Sequence, residues 1–143
     1  MSRARILCFG ELLLRLGAPG HELLLQQPRL EVHCGGAEAN VGVSLAHFGH
    51  DVAMVSTVAD NPLGAAVLGE LRRHAVDTRH VRRVDGRVGL YFLTTGAIHR
   101  ASEVVYDRAD SAFALAPADA YDWPRLLDGA QWLHLSGVSP ALG

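Results

Sequence analysis

The chain has 143 residues, 49% of them hydrophobic and 20% charged, with a formal net charge of −2. This composition is typical of one globular domain and lacks the strong positive charge that binding to nucleic acid or an anionic membrane requires. No stretch approaches the ~20 consecutive apolar residues of a membrane span. We therefore expect no nucleic-acid partner and no membrane insertion.

The residue types that are missing or rare exclude several kinds of binding and catalytic site. All 13 basic residues are arginine, so neither a phosphate loop ending in Gly-Lys-Ser/Thr nor a lysine Schiff base can form within this chain. Cys8 and Cys34 are too few for a disulfide framework, and such free thiols, without a secretory signal, predict a cytoplasmic location. None of the eight histidines is spaced with a carboxylate in a known ligand motif, so no metal site is predicted.

The first third of the chain is predicted to form short strands followed by a helix. Residues 5–10 are an apolar run ending in glycine, as in a buried parallel strand. Three more strand-like stretches follow, at 12–16, 23–27 and 30–34. The last of them alternates apolar and polar residues, like a strand with one solvated face. A helix is predicted from about 37 to 47, with Gly49 as its C-terminal stop.

The middle of the chain alternates strand and helix. Residues 52–58 have the composition of a buried strand. Asn61 and Pro62 then supply an N-cap and a first helical residue. An apolar stripe at helical spacing marks this second helix, at Leu63, Val67, Leu68 and Leu71. The arginine-rich stretch 79–83 is interpreted as an exposed, solvated edge after the helix.

The last part of the chain predicts strands at 88–95 and 103–107, a short helix at 119–127 and a final buried strand at 132–135. The fold class is therefore α/β, with a parallel sheet flanked by helices and joined by right-handed crossovers. The extra alternating strands, from about 11–34 and 87–108, do not fit that sheet. They predict a second, small antiparallel sheet within one continuous unit, residues 1–143.

Gly35 and Gly36, followed by a helix that carries Asn40 one turn in, form the most informative motif. The first N–H groups of a helix have no partner within it and carry partial positive charge. Glycine adds no Cβ atom to keep a ligand away. A polar ligand can therefore contact bare backbone here. The alternative is a tight strand-to-helix turn that binds nothing.

Several motifs, in order along the chain, resemble those of the ribokinase-like (PfkB) family of carbohydrate kinases. Its first signature is matched by Gly-Gly-Ala-Glu-Ala-Asn at 35–40 and by the stretch that ends in Asp-Asn-Pro-Leu-Gly at 64. Further matches lie at 8–16, 89–93, 105–109 and 133–142. Glu38 matches the 2-keto-3-deoxygluconate kinase branch, since fructokinases usually have proline there. The resemblance covers the whole chain as the N-terminal portion of a family member, and implies that the small sheet is a lid over the sugar.

The resemblance also implies a substrate-binding set. A tyrosine supplies an apolar wall with a hydroxyl tip, and the planar fork of an arginine binds a carboxylate. Tyr106 and Arg108 are two residues apart, so on a strand they face the same side. Without the family match, the alternative interpretation is that Tyr91 is an aromatic residue of the core and Arg108 is a solvated strand residue. The predicted set is Gly35, Gly36, Asn40, Tyr91, Tyr106 and Arg108, and ligand contact by Glu11 is left open.

The activity implied by the family is ATP-dependent phosphorylation of 2-keto-3-deoxygluconate to its 6-phosphate. The family's Gly-Ala-Gly-Asp motif, which supplies an anion hole and an aspartate base, is absent from the sequence, so no catalytic residue is predicted. The chain is expected to carry the sugar-binding half, with the ATP and Mg²⁺ region outside it. The alternatives are a kinase for a neutral sugar such as fructose, and an inactive binding or interaction module. Homo-oligomerisation through the lid is also expected.

Overall fold

Two four-stranded sheets organise residues 5–142, which are the residues that the computed structural model describes. The strands are β1 (Arg5–Phe9), β2 (Leu13–Gly17), β3 (Glu31–Gly35), β4 (Asp51–Ala59), β5 (Asp77–Val84), β6 (Gly89–Thr94), β7 (Glu103–Asp107) and β8 (Trp132–His134). The helices are α1 (Ala37–His47), α2 (Pro62–Arg73) and α3 (Trp123–Leu127), with short 3₁₀ turns at Ala118–Ala120 and Pro140–Leu142. The predicted α/β class is confirmed.

The main sheet is parallel, in the order β5-β4-β1-β8. Its central strands β1 and β4 are buried on both faces, which explains their nearly continuous apolar sequence. One face packs against α1 and α2, where Val67 and Leu71 join the core. On the other face, Leu7 and Val55 pack against aromatic and apolar residues of and around α3. Helices therefore cover both faces of the sheet, as the alternation of elements predicts.

The second sheet has the order β3-β2-β6-β7, and we call these four strands the lid sheet. Its outer pairs, β2–β3 and β6–β7, are antiparallel, as predicted. The central pair β2–β6 is parallel, so the lid sheet is mixed and not wholly antiparallel. Pairing of two lids in a homo-oligomer stays a prediction.

The strand predicted at 23–27 is wrong, because this segment forms turns. The backbone N–H of Gln26 donates to the carbonyl of Leu23, and the Leu23 N–H donates to the Gln26 side chain. Leu25 is 74% exposed and has a positive φ of 61°, which no strand residue adopts. These leucines lack the alternation that would place one face of a strand on a core.

The stretch 79–83 forms most of an edge strand, β5, which the sequence interpretation missed. The arginines interrupt the alternation of apolar and polar residues that would indicate a strand. Even so, Thr78 is buried and the pairing with β4 continues to Val84. Arg83 forms an ion pair with Asp60, and Arg79 with Asp77. Arginines on an edge strand also discourage pairing with another chain.

Two further predictions near the C-terminal side need correction. β8 is an edge strand, and Trp132 is 69% exposed instead of buried. The predicted helix 119–127 is divided into a 3₁₀ turn and α3. The division occurs because the Asp122 side chain accepts a hydrogen bond from the Arg125 N–H and so caps a new helix, which has Pro124 in its first turn. None of the helices within 5–142 is long and apolar enough to cross a membrane.

Raising the pH to about 10.5 is expected to lower the stability of the protein through Cys8. Burial, and secondarily the charge of Glu38, raises the pKa of the Cys8 thiol to about 11. A thiol in the unfolded chain titrates near ~8.5, so the folded state holds this proton more tightly. The tighter binding of this proton contributes fully to the free energy of unfolding at pH values below the pKa of the unfolded thiol. The contribution is lost as the pH rises toward 11, by at most about 1.4 kcal/mol per pH unit.

Urea unfolding at about pH 8 and about pH 10.5 measures this loss. Cys8→Ala is the control, because the loss between the two pH values should shrink in that variant even if its core packing is weaker at both. An equal loss in the variant and the original chain would assign the effect to other groups. Tyr121, whose pKa is raised by burial, is one of them.

Candidate functional site

The glycine corner lies where β3 enters α1. Gly36 is the N-cap residue of α1 and has a φ of 135°, which side chains rarely allow. A Cβ atom at this position would lie 2.6 Å from the carbonyl oxygen of Glu11. The two backbones can therefore approach only because residue 36 is glycine. This contact joins the start of α1 to the loop between β1 and β2.

Two tyrosines face each other beside this corner. The antiparallel register of β6 and β7 places Tyr91 directly opposite Tyr106, and their ring centroids are 5.9 Å apart. A Cβ atom on Gly35 would lie 3.2 Å from the Tyr91 hydroxyl oxygen. The absence of a side chain at residue 35 therefore leaves room for the Tyr91 ring. The pair forms an aromatic wall with polar tips next to the corner.

Arg108 extends this wall with a cation. Its guanidinium carbon lies 5.9 Å from the centre of the Tyr106 ring, within the range of a cation–π contact. Its Nε and Nη2 atoms donate to the same oxygen of Glu11, Oε2, at 2.9 and 2.5 Å. The Arg108 side chain is 13% exposed and that of Glu11 is 2% exposed. The charge of Arg108, directly after β7, and that of Glu11 in the β1–β2 loop thus meet in a largely buried ion pair.

The other oxygen of Glu11 is also occupied. Oε1 accepts a hydrogen bond from the Ser111 hydroxyl, whose oxygen in turn accepts one from the Ala114 N–H. A Cβ atom on Gly89 would lie 2.5 Å from Oε1, so this position of β6 must also be bare. We call Glu11, Arg108 and Ser111 the junction cluster. It joins the β1–β2 loop to the segment after β7.

The structure brings five of the six predicted site residues to one region. Gly35 contacts Tyr91, the two tyrosines contact each other, and Arg108 lies over Tyr106. Gly36 is linked to Arg108 through Glu11, whose carbonyl and carboxylate they contact respectively.

Asn40, the sixth residue of the predicted set, adjoins this region through the backbone of Gly36. It is exposed on the first turn of α1, and its N–H donates to the Gly36 carbonyl. Together with Gly35, Asn40 lines a cavity of about 580 Å³ between β3, α1 and α2. Its role in binding a sugar hydroxyl stays a prediction.

A second buried carboxylate lies close to the corner and escaped the sequence analysis as a functional group. Glu38 is buried in the first turn of α1, where its Oε1 atom accepts hydrogen bonds from the Ser136 N–H and the Ser136 and Ser139 hydroxyls. A Cβ atom on Gly10 would lie 2.1 Å from its other oxygen. Glu38 thus ties the start of α1 to the segment after β8. Its family match was the only sequence signal for it.

Within 5–142, no group of three or more His, Cys, Asp or Glu side chains is arranged to hold a metal ion. The region of the tyrosines and Arg108 has other chemistry: bare backbone, an aromatic wall and a guanidinium with unused donors. This combination suits a small polar ligand that carries a carboxylate.

Residues 3–142 match the model of the family described as pfkB family carbohydrate kinase. A 2-dehydro-3-deoxygalactonokinase of Haloferax volcanii is 37% identical over 141 residues, which cover 97% of this chain and 43% of that protein. The chain thus spans less than half the length of the relatives it matches.

Solved structures of sugar kinases are also similar to this chain, again over less than half of their own length. The crystal structure of a 2-dehydro-3-deoxygluconokinase from Thermotoga maritima is 46% identical to this chain, with a TM-score of 0.94, over 98% of this chain and 43% of that one. A sugar kinase from Pyrococcus horikoshii, solved in complex with ATP, is 26% identical with a TM-score of 0.75, over 85% of this chain and 39% of that one.

Proposed function

The chain belongs to the pfkB family of carbohydrate kinases, and on that basis we propose that it is the sugar-binding part of an ATP-dependent sugar-acid kinase. The proposed substrate is 2-keto-3-deoxygluconate or its galactonate epimer, phosphorylated at the 6-hydroxyl. Two relatives that support the choice are named for these two sugar acids. Both substrates carry a carboxylate, which a neutral sugar such as fructose lacks.

Arg108 is the observation that carries the proposal. A guanidinium has five N–H donors, and Glu11 engages one on Nε and one on Nη2. Three donors remain, one on Nη2 and two on Nη1, so the Nη1–Nη2 edge can still bind a carboxylate through two parallel hydrogen bonds. Tyr91 and Tyr106 supply the wall for the carbon skeleton, and the Gly36 corner supplies backbone for hydroxyl groups.

ATP and Mg²⁺ are proposed to bind outside the residues described here. The related Pyrococcus kinase binds ATP, whereas this chain has neither a suitable acidic cluster within 5–142 nor a Gly-Ala-Gly-Asp sequence. Since phosphoryl transfer depends on positioning and charge stabilisation, the contribution of this chain is to hold the sugar acid in place. We assign no proton-transfer step to its residues.

Calorimetric titration of the chain with 2-keto-3-deoxygluconate, 2-keto-3-deoxygalactonate and D-fructose tests the proposal. We expect both sugar acids to bind at least about tenfold more tightly than fructose, since a single charge-assisted hydrogen bond contributes roughly 1.5–3 kcal/mol. Gluconate is a useful further ligand, because it carries the carboxylate without the keto group. Equal affinity for fructose and the sugar acids would favour the neutral-sugar alternative, and binding of none would favour an interaction module.

A further inference from the structure

The orientation of the Arg108 guanidinium is set by a residue that follows the first strand of the main sheet. Glu11 Oε2 accepts from both Nε and Nη2, so the two contacts fix the plane and the direction of the fork. An arginine held by a single contact, or by solvent, would keep several rotamers and lose conformational entropy on binding. Only the Nη1–Nη2 edge keeps free donors on both nitrogens.

Glu11 itself is held from both ends. Its carbonyl lies against the Gly36 corner, and the carbonyl of the preceding Gly10 accepts a buried hydrogen bond from the Ser56 hydroxyl at 2.7 Å. Its carboxylate is held by the Ser111 hydroxyl. Glu11 therefore fixes the position of the Arg108 guanidinium relative to Gly36, the residue at which α1 begins.

We propose that Glu11 is a positioning residue for the sugar-acid carboxylate, acting through Arg108. It presents the Nη1–Nη2 edge of the guanidinium in a fixed direction relative to the Gly36 corner. The Glu11–Arg108 pair is neutral as a whole, so recognition of the carboxylate depends on aligned donors more than on net charge. This inference rests on the proposed function, because it requires Arg108 to bind the carboxylate.

A contrast between two Glu11 variants separates position from charge. Glu11→Gln keeps the length of the side chain and an oxygen that accepts from Arg108, but removes the negative charge. Glu11→Asp keeps the charge but shortens the side chain by one methylene, so the carboxylate cannot reach Arg108 and Ser111 as before. Ser111→Ala is an intermediate variant, because it removes one hydrogen bond from the Glu11 carboxylate and leaves both Glu11–Arg108 contacts in place.

Affinity for 2-keto-3-deoxygluconate, measured by calorimetry, is the first readout. We expect Glu11→Asp to bind about tenfold more weakly, in line with the cost of misplaced groups, while Glu11→Gln stays within about threefold of the original chain and Ser111→Ala loses less than Glu11→Asp. Thermal unfolding of each variant verifies that it is folded. The affinity of Glu11→Gln should also become more dependent on salt, because Arg108 is then no longer neutralised.

The second readout needs no ligand. In ¹⁵N NMR spectra, the Arg108 Nε–H resonance should be sharp and protected from exchange in the original chain, Glu11→Gln and Ser111→Ala, and broadened or lost in Glu11→Asp. Unchanged affinity in Glu11→Asp, in a variant that thermal unfolding shows to be folded, would overturn the positioning role while leaving the proposed function in place. Failure of the original chain to bind the sugar acid at all would overturn the proposed function itself, and this inference with it.

Discussion

Replacing Arg108 by methionine is expected to lower affinity for 2-keto-3-deoxygluconate at least about 100-fold, because two charge-assisted hydrogen bonds of roughly 1.5–3 kcal/mol each are lost. The same change leaves Glu11, which is almost fully buried, without its cation. Removing one partner of a buried pair typically costs about 3–5 kcal/mol of stability. Calorimetry and urea unfolding of the variant measure the two effects separately.

The double variant Glu11→Gln with Arg108→Met distinguishes a binding role from a purely structural one. It removes both charges, so most of the lost stability should return, since apolar or neutral replacements for a buried pair are often tolerated. Affinity for the sugar acid should stay low, because no guanidinium is present. Recovery of affinity together with stability would show that Arg108 acts only by holding the fold.

Gly36→Ala is expected to destabilise the protein by roughly 2–6 kcal/mol, from backbone strain and from a steric clash of about 1–3 kcal/mol each. The backbone at Gly36 has a φ of 135°, and the added methyl carbon would lie 2.6 Å from the Glu11 carbonyl oxygen. Relief of that clash would move the β1–β2 loop and, with it, the junction cluster. We therefore also expect weaker binding of the sugar acid in calorimetric titrations.

Gly69→Ala provides the matched control for this substitution. Gly69 lies within α2, has no atom within 4 Å of an added Cβ, and has no positive φ. Alanine should therefore be neutral or stabilising there by about 0.5–1 kcal/mol, as usual for glycine in a helix. A stability loss at Gly36 no larger than the change at Gly69 would contradict the close contact at the corner.

Elements with strong local signals were predictable from the sequence. The Asn61 cap is confirmed by its side chain, which accepts a hydrogen bond from the Gly64 N–H at 3.0 Å. The buried strands β1 and β4 follow from apolar runs bounded by turns, and α2 from its stripe. These patterns depend on residues close in sequence, where period and capping chemistry decide the outcome.

Features that depend on distant parts of the chain were not predictable in the same way. The parallel pairing of β2 with β6 is invisible in either strand alone, and the two partners of the Glu11–Arg108 ion pair are 97 residues apart in sequence. The β5 strand was missed because exposed arginines interrupt its apolar pattern, whereas its place in the sheet depends on pairing with the distant strand β4. The family resemblance placed Arg108 and the tyrosines together, whereas no pattern in the sequence indicated what Glu11 binds.

The hydrogen bonds of Glu38 have a consequence for engineering this protein. They fasten the first turn of α1 to Ser136 and Ser139, about a hundred residues further on. A shortened version that stops before Ser136 would retain the proposed binding residues and still leave a buried negative charge without these donors. Any shortened version of this chain should therefore extend at least to Ser139, because the hydrogen bonds that hold the first turn of α1 are complete only there.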